Sequence, residues 1–141
     1  MESKRHKLNN YKFVLVDTNF WLLFYEKAIN IIDGIENLFD YKPFLILLPS
    51  PVLEELKNFT LKKNKRAIAA KSCLVLIEKL KEKKKLHFIL TKERNADSSL
   101  INLARQKKAL VATSDKALIK KLKKFNIRII TLKDKHLIQY L

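Results

Sequence analysis

Short apolar runs alternate along this chain with longer stretches in which apolar residues recur every three or four positions. The short runs predict five strands, at 13–16, 44–48, 86–90, 109–113 and 127–131. The longer stretches predict helices at about 19–38, 51–60, 64–83, 97–107 and 115–125, with a candidate short helix after Lys135. Strands that alternate with helices are typical of a parallel sheet covered on both faces. The pattern therefore predicts a single three-layer α/β domain with a mostly parallel five-stranded sheet flanked by helices.

The length of 141 residues suits one domain with its own core. We expect this domain to span residues 11–141 and the first ten residues to be flexible. Gly34 is the only glycine, which excludes the glycine-rich phosphate loops of P-loop and dinucleotide-binding proteins. The apolar runs are far shorter than the roughly 18 residues of a membrane-spanning helix, and no signal-peptide pattern is found. A cytoplasmic protein without membrane association is expected.

The composition adds a strong positive charge. Thirty Lys and Arg residues against fourteen Asp and Glu give a formal net charge of +16. Such a charge favours a polyanionic partner, because cations placed on phosphates release condensed counterions. The alternative is a lysine-rich composition that decorates solvated helices. Cys73 is the only cysteine, so no disulfide can form within the chain, and it lies in a segment typical of a buried helix face.

Acidic residues recur where a predicted strand gives way to a helix. Asp17 and Asp115 directly follow apolar runs, Glu54 and Glu55 follow a third, and Asp97 opens an amphipathic stretch. Such positions converge on one edge of a parallel sheet, where open α/β folds have their sites. Carboxylates held together repel one another unless a cation lies between them, and a set of oxygen ligands suits Mg²⁺ or Mn²⁺. The sequence therefore predicts a divalent-metal site at this edge.

Helical phase distinguishes the two adjacent glutamates. At about 100° per residue, Val52, Leu56 and Phe59 define an apolar face, and Glu55 flanks it whereas Glu54 points away. Glu55 is therefore the predicted ligand, and Glu54 is expected to face solvent.

The aspartates have a simpler explanation as well, because Asp is a common N-cap residue. What favours a site is that Asp97 and Asp115 are both in phase with the core-facing residues of their helices. Asn19, Thr113 and Ser114 lie beside these acids and are candidates to orient a carboxylate or a water.

Lysines are concentrated in three stretches, at 61–66, 81–85 and 120–124. The first follows the helix that carries Glu55, so its cations are the candidate phosphate-binding residues: Lys62, Lys63, Lys65 and Arg66. For the other two stretches a solvated face, with lysines that complement helix C-termini, is the favoured interpretation.

Four segments in order resemble the motifs of the PIN-domain nucleases. They are 14–19 (VLVDTN), 53–56 (LEEL), 96–100 (ADSSL) and 112–118 (ATSDKAL), and the resemblance covers about residues 12–133. Within that family the chain looks most like the archaeal branch related to the small-subunit processome rRNA-processing endonuclease, with the VapC-type toxin nucleases nearby.

The resemblance implies a PIN fold and a divalent-metal-dependent endoribonuclease, active in rRNA processing or as a VapC-type toxin. Asp17, Glu55, Asp97 and Asp115 would form the catalytic, metal-binding quartet for one or two Mg²⁺ or Mn²⁺ ions. RNA is the implied partner, with the four cations of the 61–66 stretch as its candidate RNA-binding residues. Pre-ribosomal particles or an antitoxin are further implied partners, and a homodimer is compatible with the family.

One departure keeps a second function open. Many relatives carry another acid directly after the third aspartate, where this chain has Ser98. The alternative is a non-catalytic RNA- or ribosome-binding PIN module. A phosphotransfer fold of the receiver or dehalogenase-like type would require a second carboxylate where Asn19 stands.

Overall fold

The computed structural model describes the backbone of residues 12–140 and the side chains of residues 12–137. The expected flexible segment 1–10 lies outside the described residues. Six strands are present in the described part: β1 Lys12–Val16, β2 Phe44–Pro49, β3 Leu86–Ile89, β4 Leu110–Ala112, β5 Ile129–Lys133 and β6 His136–Tyr140. Six helices accompany them: α1 Thr18–Glu26, α2 Ile31–Leu38, α3 Ser50–Phe59, α4 Lys65–Glu82, α5 Ala96–Lys107 and α6 Lys116–Lys124.

The strands form one sheet in the order β3-β2-β1-β4-β5-β6. All neighbouring pairs are parallel except β5 and β6, which are antiparallel. The prediction of a single α/β domain with a mostly parallel sheet is confirmed. The sheet has six strands rather than five, because β6 adds to its edge.

The prediction of a short helix after Lys135 is wrong, because this segment forms the strand β6. A two-residue turn reverses the chain, and both of its residues have positive φ, 51° at Asp134 and 66° at Lys135. Two such residues in succession match the twist of a tight hairpin. The turn has no glycine to signal it, and five residues are too few to separate a period of 2 from one of 3.6.

The single helix expected at 19–38 is two helices in the structure. The chain breaks after Glu26, where Ala28 adopts a positive φ of 51°. Asn30 then caps α2, because its side-chain oxygen accepts a hydrogen bond from the Asp33 backbone N at 3.1 Å. An asparagine at this position is a common helix start, and it interrupts an otherwise continuous apolar pattern.

The helices form two layers around the sheet. The connections from β1 to β2 and from β2 to β3 move toward the β3 edge of the sheet. Those from β3 to β4 and from β4 to β5 move toward the β6 edge. Because parallel crossovers are right-handed, α1–α4 cover one face, and α5 and α6 cover the other. The central strands are therefore buried on both sides, as Val14, Leu15 and Val111 show. None of the described helices combines the length and apolarity needed to span a membrane.

Candidate active site

The carboxyl ends of β1 and β4 lie side by side and place two aspartates at one edge of the sheet. Asp17 directly follows β1, and its backbone N donates a hydrogen bond to the Ala112 carbonyl at 2.9 Å. Asp115 follows β4 by two residues and begins α6. A cavity of about 360 Å³ opens at this edge, and Asp17, Glu55, Asp97 and Asp115 all line it.

Asp17 is the buried carboxylate of the group, with 7% of its surface exposed. Its oxygens accept hydrogen bonds from the Thr18 backbone N at 2.8 Å and from Thr113 Oγ1 at 2.9 Å. Burial raises the pKa of Asp17 to about 6, and the negative charges of Asp97 and Asp115 act in the same direction. The two hydrogen bonds oppose this pKa shift without cancelling it. A cation in the cavity would favour the ionised form.

Thr113 links the two aspartates that follow the strands. Its hydroxyl donates to Asp17 Oδ2 and accepts from the Asp115 backbone N at 3.1 Å. Asp115 in turn caps α6, since its Oδ1 accepts from the backbone N of Ala117 at 2.9 Å and of Leu118 at 3.1 Å. Asp115 can therefore cap the helix and line the cavity at the same time, because the capping bonds occupy only one of its two carboxylate oxygens. Ser114 is exposed and lies outside the cavity lining.

Asp97 differs from the other aspartates because it is not a helix cap. Asn95 caps α5 instead, its side-chain oxygen accepting from the Ser98 backbone N at 3.1 Å. Asp97 is half-buried in the first turn of the helix and lines the cavity. Its carboxylate accepts no hydrogen bond from the described residues, so both oxygens are available to a ligand.

Glu55 reaches the cavity from α3. Its Oε1 accepts a hydrogen bond of 2.5 Å from the Thr18 hydroxyl. Glu54 and Glu55 are both exposed, and only Glu55 lines the cavity. Sequence reasoning missed Thr18, a buried residue that donates to Glu55 and contacts Asp17 through its backbone. The only signal was its position directly after the aspartate. Asn19 also lines the cavity.

Cations also line the cavity. Lys62 and Arg66 line it together with Asn58 and Phe59. The Phe59 ring lies 5.3 Å from the Arg66 guanidinium carbon and 6.0 Å from Lys62 Nζ, measured to the ring centroid. Arg66 Nε also lies 3.6 Å from Glu26 Oε2.

Two of the four candidate RNA-binding cations are therefore at the cavity. Lys63 and Lys65 are exposed and are not part of its lining.

The ligand atoms at the cavity are those that a hard divalent cation prefers. No group of three or more His, Cys, Asp or Glu side chains in the described residues is close enough to enclose a metal. Mg²⁺ keeps several water ligands and is commonly bound through one or two carboxylates, so full enclosure is not required. The donor set of Asp17, Glu55, Asp97 and Asp115 fits Mg²⁺ or Mn²⁺, and the absence of sulfur and imidazole disfavours zinc.

A mostly parallel α/β sheet with a carboxylate-lined cavity at its carboxyl edge defines the class of protein: an open α/β domain with a candidate site where such folds commonly have theirs. Residues 14–135 match the family described as the PIN like domain. The chain belongs to the PIN-domain nuclease family, which confirms the resemblance stated from its motifs.

Relatives and solved structures agree with this assignment. The chain is 29% identical over 123 residues to ribonuclease VapC4 of Methanocaldococcus jannaschii. The matched region spans 86% of this chain and 91% of the relative. The PIN domain endonuclease Utp24 superposes with a TM-score of 0.69 at 22% identity, covering 89% of this chain and 88% of that one. VapBC2 from Rickettsia felis, bound to a promoter DNA fragment, gives a TM-score of 0.54 at 17% identity, covering 86% and 99%. The two structural similarities show the shared fold.

Proposed function

We propose that this protein is a divalent-metal-dependent endoribonuclease. The observation that carries the proposal is that one cavity is lined by four carboxylates, three from helix starts and Glu55 from within α3, and also by the cations Lys62 and Arg66. The cavity thus offers a place for a metal ion beside a place for a phosphate. The similarity to ribonuclease VapC4 supports RNA as the substrate.

The acidic, hydroxyl-bearing and cationic residues at the cavity have different tasks in this proposal. Asp17, Glu55, Asp97 and Asp115 would hold Mg²⁺ or Mn²⁺, whose chemistry is to lower the pKa of water and offset charge on a phosphate. Thr113 and Thr18 fix the orientations of Asp17 and Glu55 through their hydroxyl groups. Lys62 and Arg66 would bind the phosphate oxygens, and the Arg66 guanidinium is oriented by Phe59 and Glu26.

Asp97→Asn tests the proposal, because Asp97 has no capping task that the substitution would disturb. The variant should lose Mn²⁺-dependent RNA cleavage by about 10²-fold or more while binding RNA at least as tightly as the wild type. Ser98→Ala is the matched control, since Ser98 is exposed on the same helical turn. Wild-type protein that binds RNA and cleaves none with Mg²⁺ or Mn²⁺ would instead support a non-catalytic RNA- or ribosome-binding module.

For the biological setting we infer a VapC-type toxin, with an antitoxin as its partner. The name of the 29% identical relative favours this over rRNA processing, for which the support is a shared fold alone. An antitoxin should be encoded in a neighbouring reading frame. If no such frame exists and the protein copurifies with pre-ribosomal particles, the rRNA-processing role is favoured.

A further inference from the structure

The two helical layers carry very different charge. Between residues 96 and 133, which include all of α5 and α6, the chain has ten Lys or Arg residues and two acids, Asp97 and Asp115. All ten cations are exposed. Between residues 18 and 85, which include α1–α4 and the three lysines at the C-terminus of α4, thirteen cations are accompanied by eight acids. The net charge is +8 over 38 residues in the first part and +5 over 68 residues in the second, so the positive charge is densest on the α5–α6 face.

Helix electrostatics alone do not account for this concentration. The C-termini of α5 and α6 each present about half a negative charge, so roughly one cation suffices for the pair. In α6, Lys116, Lys120 and Lys124 follow one another at intervals of four residues. Like charges at that spacing destabilise a helix. An external polyanion would relieve this repulsion.

An arginine and an aromatic ring join the two helices on this face. The Arg105 guanidinium carbon lies 4.3 Å from the centroid of the Phe125 ring. Phe125 is 45% exposed and is the only large apolar side chain among residues 98–133 that is strongly exposed. The ring fixes the plane of the guanidinium and leaves its N–H edge free to meet a phosphate. A membrane surface would instead favour several exposed apolar residues on the outer side of the helix.

The face continues away from the cavity. Asp97 and Asp115 lie at the N-terminal ends of α5 and α6, and Arg105 and Lys124 lie near the C-terminal ends. At 1.5 Å per residue, the far ends of the helices are about 12–15 Å along their axes from the carboxylates. An RNA that reaches both places must extend well beyond the cavity.

We propose that the α5–α6 face is a second RNA-binding surface, which holds the phosphate backbone of a substrate segment outside the cavity. The proposal rests on the endoribonuclease function and adds a preference for long RNA. The contacts would be to phosphates and independent of sequence, because lysines and one arginine dominate the face.

The test compares two triple variants that remove equal charge. One is Arg105→Gln/Lys120→Gln/Lys124→Gln on the α5–α6 face. The matched control is Lys42→Gln/Lys71→Gln/Lys79→Gln, three exposed cations outside the α5–α6 face, of which Lys42 lies between α2 and β2 and the other two lie on α4. A charge-retaining variant, Arg105→Lys/Lys120→Arg/Lys124→Arg, shows whether loss of charge or loss of folding is responsible. Thermal melts of all three report folding.

Binding is measured with Asp97→Asn in every background, on a long RNA with a flanking stem and on a hexanucleotide. We expect the first triple variant to bind the long RNA about tenfold more weakly than the parent. The slope of log K plotted against log salt concentration should become shallower by about two to three units. Binding of the hexanucleotide should be unchanged. The control and the charge-retaining variant should bind both RNAs like the parent.

Equal losses in the two neutralised variants would show that only total charge matters and would overturn the proposal, as would no loss in either. Loss of binding to anionic lipid vesicles with unchanged RNA binding would assign the face to a membrane. Because binding is measured without cleavage, a protein that binds long RNA through this face and cleaves none would contradict the nuclease function alone.

Discussion

At the scale of single residues, Asp17 combines two tasks that are usually separate. Its carboxylate caps α1 through the Thr18 backbone N, and it lines the cavity beside Asp97 and Asp115. Burial makes the charge costly, and the two neighbouring aspartates add to that cost. The residue that anchors the site therefore destabilises the metal-free fold at neutral pH.

The raised pKa of Asp17 gives a defined pH dependence of stability. Its pKa rises from 3.8 to about 6 in the folded state, so the folded protein holds this proton more tightly than the unfolded chain. The resulting stabilisation is complete below the unfolded pKa and is lost as pH rises through about 6. In EDTA, the wild type should lose up to about 3 kcal/mol relative to Asp17→Asn between pH 4 and pH 7, at 1.36 kcal/mol per pKa unit.

Urea unfolding of both proteins across this pH range measures the difference. If the two stability curves run parallel from pH 4 to pH 7, the pKa of Asp17 is not raised. The same substitution should abolish RNA cleavage, since it removes a ligand charge.

Glu54 and Glu55 form a matched pair for a second residue-scale prediction. Glu55→Gln should lower Mn²⁺-dependent cleavage about 10²-fold, because it removes a carboxylate charge from the cavity. Glu54→Gln should leave cleavage unchanged and alter stability by only a few tenths of a kcal/mol, as for an exposed acid near a helix N-terminus. Cleavage rates at saturating Mn²⁺ decide between them, and the opposite ranking would refute the placement of the second carboxylate.

At the scale of elements, the first turn of α4 is unusual because it contains cations and no acid. Lys65 and Arg66 lie where the helix dipole is positive, which is unfavourable for them. Glu26 and Phe59 partly offset this by contacting Arg66. The guanidinium is thereby held at the cavity rim in a fixed orientation.

Removing that support should affect substrate binding more than chemistry. We expect Phe59→Leu to raise KM for RNA a few-fold with kcat nearly unchanged, because Arg66 keeps its charge and loses its orientation. Arg66→Gln should weaken RNA binding about tenfold, and Lys71→Gln, an exposed neutralisation on the same helix, should not. Steady-state kinetics and binding assays separate these effects. A fall in kcat alone would place Phe59 in the chemical step instead.

At the scale of the whole molecule, mutual repulsion of the carboxylates couples metal binding to folding. Mn²⁺ at about 100 times its Kd should stabilise the protein by roughly 2.7 kcal/mol, which corresponds to roughly 5–10 °C in Tm for a chain of this size. Asp97→Asn should raise the Tm in EDTA and reduce the increment caused by Mn²⁺. Calorimetric scans with Mn²⁺ and with K⁺ at equal ionic strength test this, and identical Tm values would argue against a metal site.

Much of the fold was predictable because its signals are local. The five parallel strands are short apolar runs, and both α3 and α4 begin within one residue of the predicted positions. The break between α1 and α2 and the strand β6 were not predicted, since Asn30 and the turn at Asp134 interrupt or reverse the chain without glycine or proline. Backbone geometry at such positions is decided by packing against the rest of the domain.

The sequence by itself determined which side chains are acidic and which strand ends they follow. It also determined that Glu55, rather than Glu54, flanks the apolar face of its helix. Those properties follow from hydrophobic period and residue type, which neighbours along the chain decide. Only the tertiary structure brought residues as distant as Asp17 and Thr113 within hydrogen-bonding distance. It also gathered Arg105 and Phe125 onto one basic face. Strand order and helix packing set the distances within these two pairs, because the members of each pair are far apart in the sequence and no local pattern connects them.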